Sequence, residues 1–181
     1  MEKDLAQVAL FAAMIAALGL VPAISVGFGV PITAQTLGVM LAGALLGWRR
    51  GMQACLLFVV LVALGLPLLA GGRGGLGVFA SPTVGFLLGF IPAAGLTGLF
   101  VERAPIRSPG LAAGLGAIFG GIVVLYACGI TGMSLVLKKS LTDCLMLSMA
   151  FIPGDLIKAV LTGVLVQALA KARPQLLAWR R

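Results

Sequence analysis

The chain has 181 residues, 61% of them hydrophobic and 10% charged, with a mean hydropathy of +1.17; a soluble domain carries roughly 25% charged residues, so this composition excludes one. The net charge of +8 lies on basic residues scattered through short segments, which points to membrane orientation rather than nucleic-acid binding. Histidine is absent, which removes histidine catalysis, haem ligation by histidine and histidine-containing zinc sites, and Cys55, Cys128 and Cys144 share no metal or redox spacing.

Residues 5–48, 51–72, 74–101 and 108–137 contain no Asp, Glu, Lys or Arg. A membrane-spanning helix needs about 20 such residues. The alternating ~10-residue segments of an outer-membrane barrel are not seen. After Met-Glu-Lys-Asp the first apolar run is too long for a cleavable signal, so it is expected to be the first span, at about 5–24. Pro22 and the Ser25–Pro31 stretch divide this run from a second helix at about 33–48. That helix would be ~24 Å long, short for a ~30 Å hydrocarbon core. The Gly/Pro loop before it is therefore expected to dip into the membrane, lining a cavity. Trp48-Arg49-Arg50-Gly51 reads as a tight basic turn, followed by a third helix at about 52–69.

A glycine-rich loop, Gly71-Gly72-Arg73-Gly74-Gly75, leads to Ser81-Pro82-Thr83 and a fourth helix at about 83–101. Residues 102–109 form a polar turn before a fifth helix at about 110–130. Residues 132–147, with Lys138, Lys139 and Asp143, suit a short interfacial helix, and a sixth span follows at about 153–171. The expected architecture is thus an all-α integral membrane protein, a six-transmembrane-helix bundle forming a single domain over residues 1–181. Six crossings place Lys3, Arg49, Arg50, Arg103, Arg107, Lys171, Arg173, Arg180 and Arg181 on the side of the N-terminus, against Arg73, Lys138 and Lys139 on the other. That asymmetry predicts cytoplasmic termini. The loops at 29–33 and 71–83 and the start of the sixth helix then share the outer side.

Asp155 and Lys158 stand out because they interrupt the apolar stretch 144–170. A charge at the bilayer centre costs at least about 2.5–3.5 kcal/mol on insertion scales, so such residues usually face a cavity. Three apart, they share a helix face. Together they suit a small polar ligand: a carboxylate accepts N–H groups and an ammonium donates to a carbonyl or carboxylate. The plainer alternative is a self-neutralising ion pair, or a lysine that snorkels outward.

The glycines around Arg73 permit close backbone approach and leave N–H donors for a ligand, or simply make a flexible loop. The Gly-Lys-Ser/Thr ending of a phosphate-binding loop is missing, so the loop gives no support for ATP binding. Ala9, Ala13 and Ala17 recur every four residues on the first helix. Such small residues suit docking to another membrane protein or ordinary internal packing equally well. Gly85/Gly89 and Gly116/Gly120 are assigned to packing. No Ser, Thr or Tyr126 is arranged around a plausible base, which argues against an intramembrane enzyme. No metal and no cofactor is expected.

In order along the chain, Pro31-Ile32-Thr33-Ala34-Gln35-Thr36-Leu37-Gly38-Val39-Met40, the Gly71–Gly75 loop, Pro82-Thr83 with Gly85-Phe86-Leu87-Leu88-Gly89-Phe90, and Pro153-Gly154-Asp155-Leu156-Ile157-Lys158 resemble the BioY family. These are biotin-specific substrate-binding (S) components of energy-coupling-factor (ECF) vitamin transporters. The Pro-Gly-Asp-x-x-Lys element is the most specific part. Ser81 and Val84 depart from the resemblance, standing where relatives often carry glycine.

The resemblance implies a six-helix bundle holding biotin near the outer surface. It implies ligand binding by Asp155 and Lys158, with Arg73, Gly72, Gly74 and Gln35 around them. It also implies a second transmembrane (T) protein and two ATPase subunits as partners, docked on Ala9, Ala13 and Ala17. Membrane lipid and further copies of the chain are the other expected neighbours, in a prokaryotic plasma membrane.

Overall fold

The computed structural model describes residues 2–25, 30–173 and 177. Helix α1 spans Glu2–Leu18, and the strands β1 (Ile24–Ser25) and β2 (Pro31–Ile32) pair antiparallel with Ile24 opposite Ile32. Helix α2 covers Gln35–Ala63, a 3-10 turn covers Leu76–Ala80, and α3 spans Val84–Arg103. Helix α4 (Pro109–Ile118) continues through a π-helical turn at Phe119–Val124 into α5 (Leu125–Leu137). The short α6 (Leu141–Ser148) leads through a 3-10 turn at Met149–Phe151 into α7 (Ile152–Ala172). Among the described residues, four stretches are long and apolar enough to cross a membrane by length and composition: Gln35–Ala63, Val84–Arg103, Pro109–Leu137 and Leu141–Ala172. The helical membrane architecture expected from the sequence is therefore present, with the two-strand ribbon added. Of the loop expected to dip before the second helix, residues 26–29 lie outside the described part.

The second and third expected helices are joined, and the turn between them is earlier than expected. Gly47 adopts φ 79° and ψ −179°, outside helical geometry, while Trp48-Arg49-Arg50-Gly51 is already helical. A Cβ on Gly51 would lie 3.0 Å from the Gly43 Cα. Residues eight apart in a straight helix are ~12 Å apart, so the chain folds back at Gly47 into two antiparallel arms. The break frees the Trp48 N–H, which donates to Glu102 Oε1 at 2.9 Å. A carboxylate is favoured at such a new helix N-terminus. Arg50 donates to Asp4 Oδ1 at 2.6 Å and to Gln7 Oε1 at 2.9 Å, tying α1 to the same corner.

The other end points also differ from expectation for local reasons. The second arm of α2 stops at Ala63 rather than 69, because Gly65 (φ 103°) and Pro67 follow at once. Helix α1 stops at Leu18, where the turn tightens and the Gly19 N–H bonds the Ala16 carbonyl at 2.9 Å. Helix α5 runs past 130 to Leu137, ended by left-handed Lys138 (φ 52°). The short helix expected over 132–147 is α6 alone, capped by Ser140 Oγ accepting from the Asp143 N–H at 3.1 Å. At α4, Ser108 caps the start and Pro109 occupies the first turn, where its missing N–H costs nothing.

Small residues bring the helices into backbone contact, as assigned for Gly85/Gly89 and Gly116/Gly120. A Cβ on Gly85 would lie 2.9 Å from the Gly132 Cα, so α3 and α5 touch main chain to main chain. Without a hydrophobic drive between helices in lipid, such close packing supplies much of the association. Gly85→Val should therefore destabilise the protein by about 1–3 kcal/mol through overpacking, read as a lower unfolding midpoint in detergent. Gly77, with nothing within 4 Å of a Cβ, should tolerate alanine. Equal behaviour of the two variants would refute the packing account.

Candidate ligand-binding site

One end of the bundle holds a cavity with about 610 Å3 of space between its walls, counting its open mouth. The start of α2 contributes Gln35 and Thr36, α3 contributes Thr83, Phe86, Leu87 and Phe90, and α7 contributes Asp155 and Lys158. Leu125 and Phe151 close the far wall, while Val30, Ile32, Thr33, Leu69 and Arg73 form the rim. Phe86 meets Phe151 edge-on at 6.2 Å between ring centroids, a favourable aromatic geometry.

Asp155 and Lys158 form the ion pair that their spacing predicts, at 2.8 Å, with side chains 6% and 15% exposed. Lys158 does not snorkel outward. Its ammonium also donates to the Thr33 carbonyl at 2.6 Å and to Thr36 Oγ1 at 2.8 Å. An ammonium has three hydrogens, so all are engaged. Asp155 Oδ1 takes Lys158 and the Thr36 hydroxyl, the latter at 3.1 Å. Asp155 Oδ2 accepts from the Tyr126 hydroxyl at 2.7 Å. The pair is thus embedded in a network that includes two hydroxyls.

Gln35 and Arg73 line the cavity, but Gln35 also has structural duties. Its Nε2 donates to the carbonyls of Ile15 at 3.2 Å and Leu68 at 3.0 Å, and its Oε1 accepts from the Ala70 N–H at 3.2 Å. The tightened end of α1 is what leaves the Ile15 carbonyl open. Gln35 therefore clips α1 and the 68–70 segment together. Half-buried Arg73 donates from Nε to the Ala70 carbonyl at 3.3 Å.

Gly72 and Gly74 are not among the lining residues. Of the donors expected in this loop, the N–H groups of Gly72, Arg73 and Gly75 are spent on the carbonyls of Leu69, Leu69 and Val62. The glycines serve the turn itself: Gly71 and Gly72 have φ 78° and 70°, and a Cβ on Gly74 would strike the Leu66 carbonyl. Ala9, Ala13 and Ala17 are not among the lining residues and are exposed on the face of α1 opposite buried Ala12 and Ile15.

Sequence reasoning missed Tyr126, Thr36, Thr83 and the phenylalanine walls. Tyr126 is the chain's single tyrosine and sits inside a charge-free run; a buried phenol needs a partner, and that was the available signal. Thr83 follows from Ser81, the residue that departs from the expected glycine. Ser81 spends its one hydrogen on the Val78 carbonyl at 2.6 Å, so Thr83 donates to Ser81 across 2.7 Å. Thr83 consequently offers the cavity acceptor lone pairs only.

Fold and cavity together define a helical membrane protein that takes a small ligand with apolar bulk and a polar head. The BioY family model matches residues 2–175, and the chain belongs to this family. It is 55% identical over 186 residues to the biotin transporter BioY of Rhodobacter capsulatus, covering 98% of both chains. It is 53% identical to that of Rhizobium etli, covering 96% of both. The crystal structure of the S-component for biotin from an ECF-type ABC transporter superimposes with a TM-score of 0.87, at 34% identity, over 93% of this chain and 91% of the other.

Removing one member of a buried ion pair leaves an uncompensated charge. Lys158→Met should cost about 3–5 kcal/mol in the ligand-free protein, and adding Asp155→Asn should restore part of the loss. Chemical unfolding in detergent measures both; a double-variant loss equal to the sum of the losses in Lys158→Met and Asp155→Asn alone would show that the two side chains are not coupled.

Proposed function

We propose that this chain is the biotin-binding membrane component of a biotin uptake system, with transport energy supplied by partner subunits. The carrying observation is the buried Asp155–Lys158 pair facing an aromatic-walled cavity, in a chain so similar to biotin transporters along its whole length. Biotin presents two N–H donors and a carbonyl on its ureido ring, an apolar thioether bicycle and a carboxylate tail. Asp155 accepts a ureido N–H. Lys158 exchanges one of its internal acceptors for the ureido carbonyl. Phe86, Phe90 and Phe151 enclose the bicycle, and Arg73 at the rim meets the carboxylate.

The Gly47 fold-back supports six crossings, with both termini cytoplasmic and the cavity opening outward. The chain is then one transmembrane domain in a prokaryotic plasma membrane. Its sequence holds no phosphate-binding loop, so an ATP-driven step falls to an ECF-type T protein and two ATPase subunits. The exposed Ala9, Ala13 and Ala17 stripe is the proposed docking face. An enzymatic role is disfavoured because Lys158 donates to Thr36 and is neutralised by Asp155, which leaves it no capacity as a base.

Equilibrium binding of labelled biotin to the purified protein tests the ligand. Asp155→Asn and Lys158→Ala should each weaken it by about 10- to 100-fold, the range for hydrogen bonds to charged groups. Absence of binding by the unaltered protein would overturn the function, and unchanged affinity in both variants would overturn the site. Ala13→Leu should leave binding intact while cutting uptake in cells that hold the ATPase module. Undiminished uptake would remove the docking face.

A further inference from the structure

The geometry points to Tyr126 as the positioning residue that selects ligands carrying an N–H donor, a role that rests on Asp155 being the ligand acceptor proposed above. An ionised carboxylate offers about four lone-pair sites, two on each oxygen. Lys158 and Thr36 both donate to Oδ1, so that oxygen is filled. Rotation about the bond to Cβ carries both oxygens together, so donors on each of them hold the carboxylate plane from two sides. The Tyr126 hydroxyl, at 2.7 Å from Oδ2, is the anchor on the second side. It also occupies one of the two sites on Oδ2. One acceptor site in a fixed direction remains for the ligand.

Tyr126 does this without belonging to the cavity lining. It is buried behind the carboxylate at 6% exposure, and its ring is held edge-on by Phe86 at 6.1 Å. Phe86 is itself a cavity wall. The orientation of the polar acceptor is therefore locked to the apolar wall beside it. Without the hydroxyl, Oδ2 is unanchored and the plane is held from Oδ1 alone, so the acceptor can adapt to more than one ligand geometry.

The test compares biotin with its two cyclic-carbamate isosteres, in each of which one ureido NH is replaced by oxygen. These keep the shape and remove one donor. The proteins are the full-length wild type, Tyr126→Phe, Thr36→Val and Asp155→Asn. Tyr126→Phe keeps the ring and its contact with Phe86, so the ligand-free protein should stay folded, with a single cooperative melting transition even if its midpoint falls.

Tyr126→Phe should weaken biotin about 10-fold or more and shrink the preference for biotin over the less favoured isostere by a similar factor. Thr36→Val should weaken all three ligands alike and leave the preference unchanged, since Lys158 still holds Oδ1 and Tyr126 still holds Oδ2. An unchanged preference in Tyr126→Phe overturns the proposal, as does an equal change in Thr36→Val. Wild-type affinity in Asp155→Asn would instead show that the ligand site itself is misassigned, an outcome distinct from failure of the positioning role alone.

Discussion

The arrangement depends on keeping one carboxylate and one ammonium inside a membrane protein. Neither is affordable alone at this depth. The solution is complete neutralisation: Asp155 receives Lys158, Thr36 and Tyr126, and Lys158 reaches Asp155, Thr36 and Thr33. These partners come from the start of α2, from α5 and from α7 itself. The network therefore joins elements that also form the cavity walls. A buried pair of this kind is weak evidence for stability, because apolar residues fill the same volume at less cost. Its retention is better explained by what it can offer a ligand.

Everything around the pair serves to hold these elements in register without filling the space between them. Backbone contacts at Gly85 and Gly132 draw α3 against α5, which places Phe86 beside Tyr126. The fold-back at Gly47, capped by Glu102 and tied by Arg50 to Asp4, locks the opposite end. At the cavity end, Gln35 uses its amide to bind α1 and the 68–70 segment together. Rigidity comes from small residues and amide clips, so the large apolar side chains are free to line the cavity.

Much of this is legible in the sequence because membrane physics leaves few options. Charge-free runs must be spans, and an Asp and a Lys within one must meet each other or a cavity. Where legibility fails, the cause is physical. Arg49 and Arg50 suggest a loop, yet Arg49 stacks over Trp48 at 5.0 Å and Arg50 pairs with Asp4, so both remain helical. The true turn is Gly47, one of 26 glycines and not marked out locally. The partners of Asp155 lie 119 residues away at Thr36 and 29 away at Tyr126. Hydroxyls cost little to bury once bonded, so neither leaves a charge anomaly to detect. The glycine-rich loop is only partly legible: the Gly72, Arg73 and Gly75 N–H groups close its own turn.

Because Lys158 spends its three hydrogens on Asp155, Thr36 and Thr33, the ligand contact proposed for it is an exchange rather than an addition. A ligand carbonyl must replace the Thr33 carbonyl, Thr36 or Asp155. Losing Asp155 would forfeit charge neutralisation, the most expensive of the three. Thr36 keeps a second partner in Asp155 Oδ1, so its bond to Lys158 is the less exclusive one. The Thr33 carbonyl instead makes the shortest of the three contacts, at 2.6 Å. The exchange of lowest cost therefore gives up the Thr36 contact, because the Thr36 hydroxyl stays bonded to Asp155 Oδ1 when a ligand carbonyl takes its place.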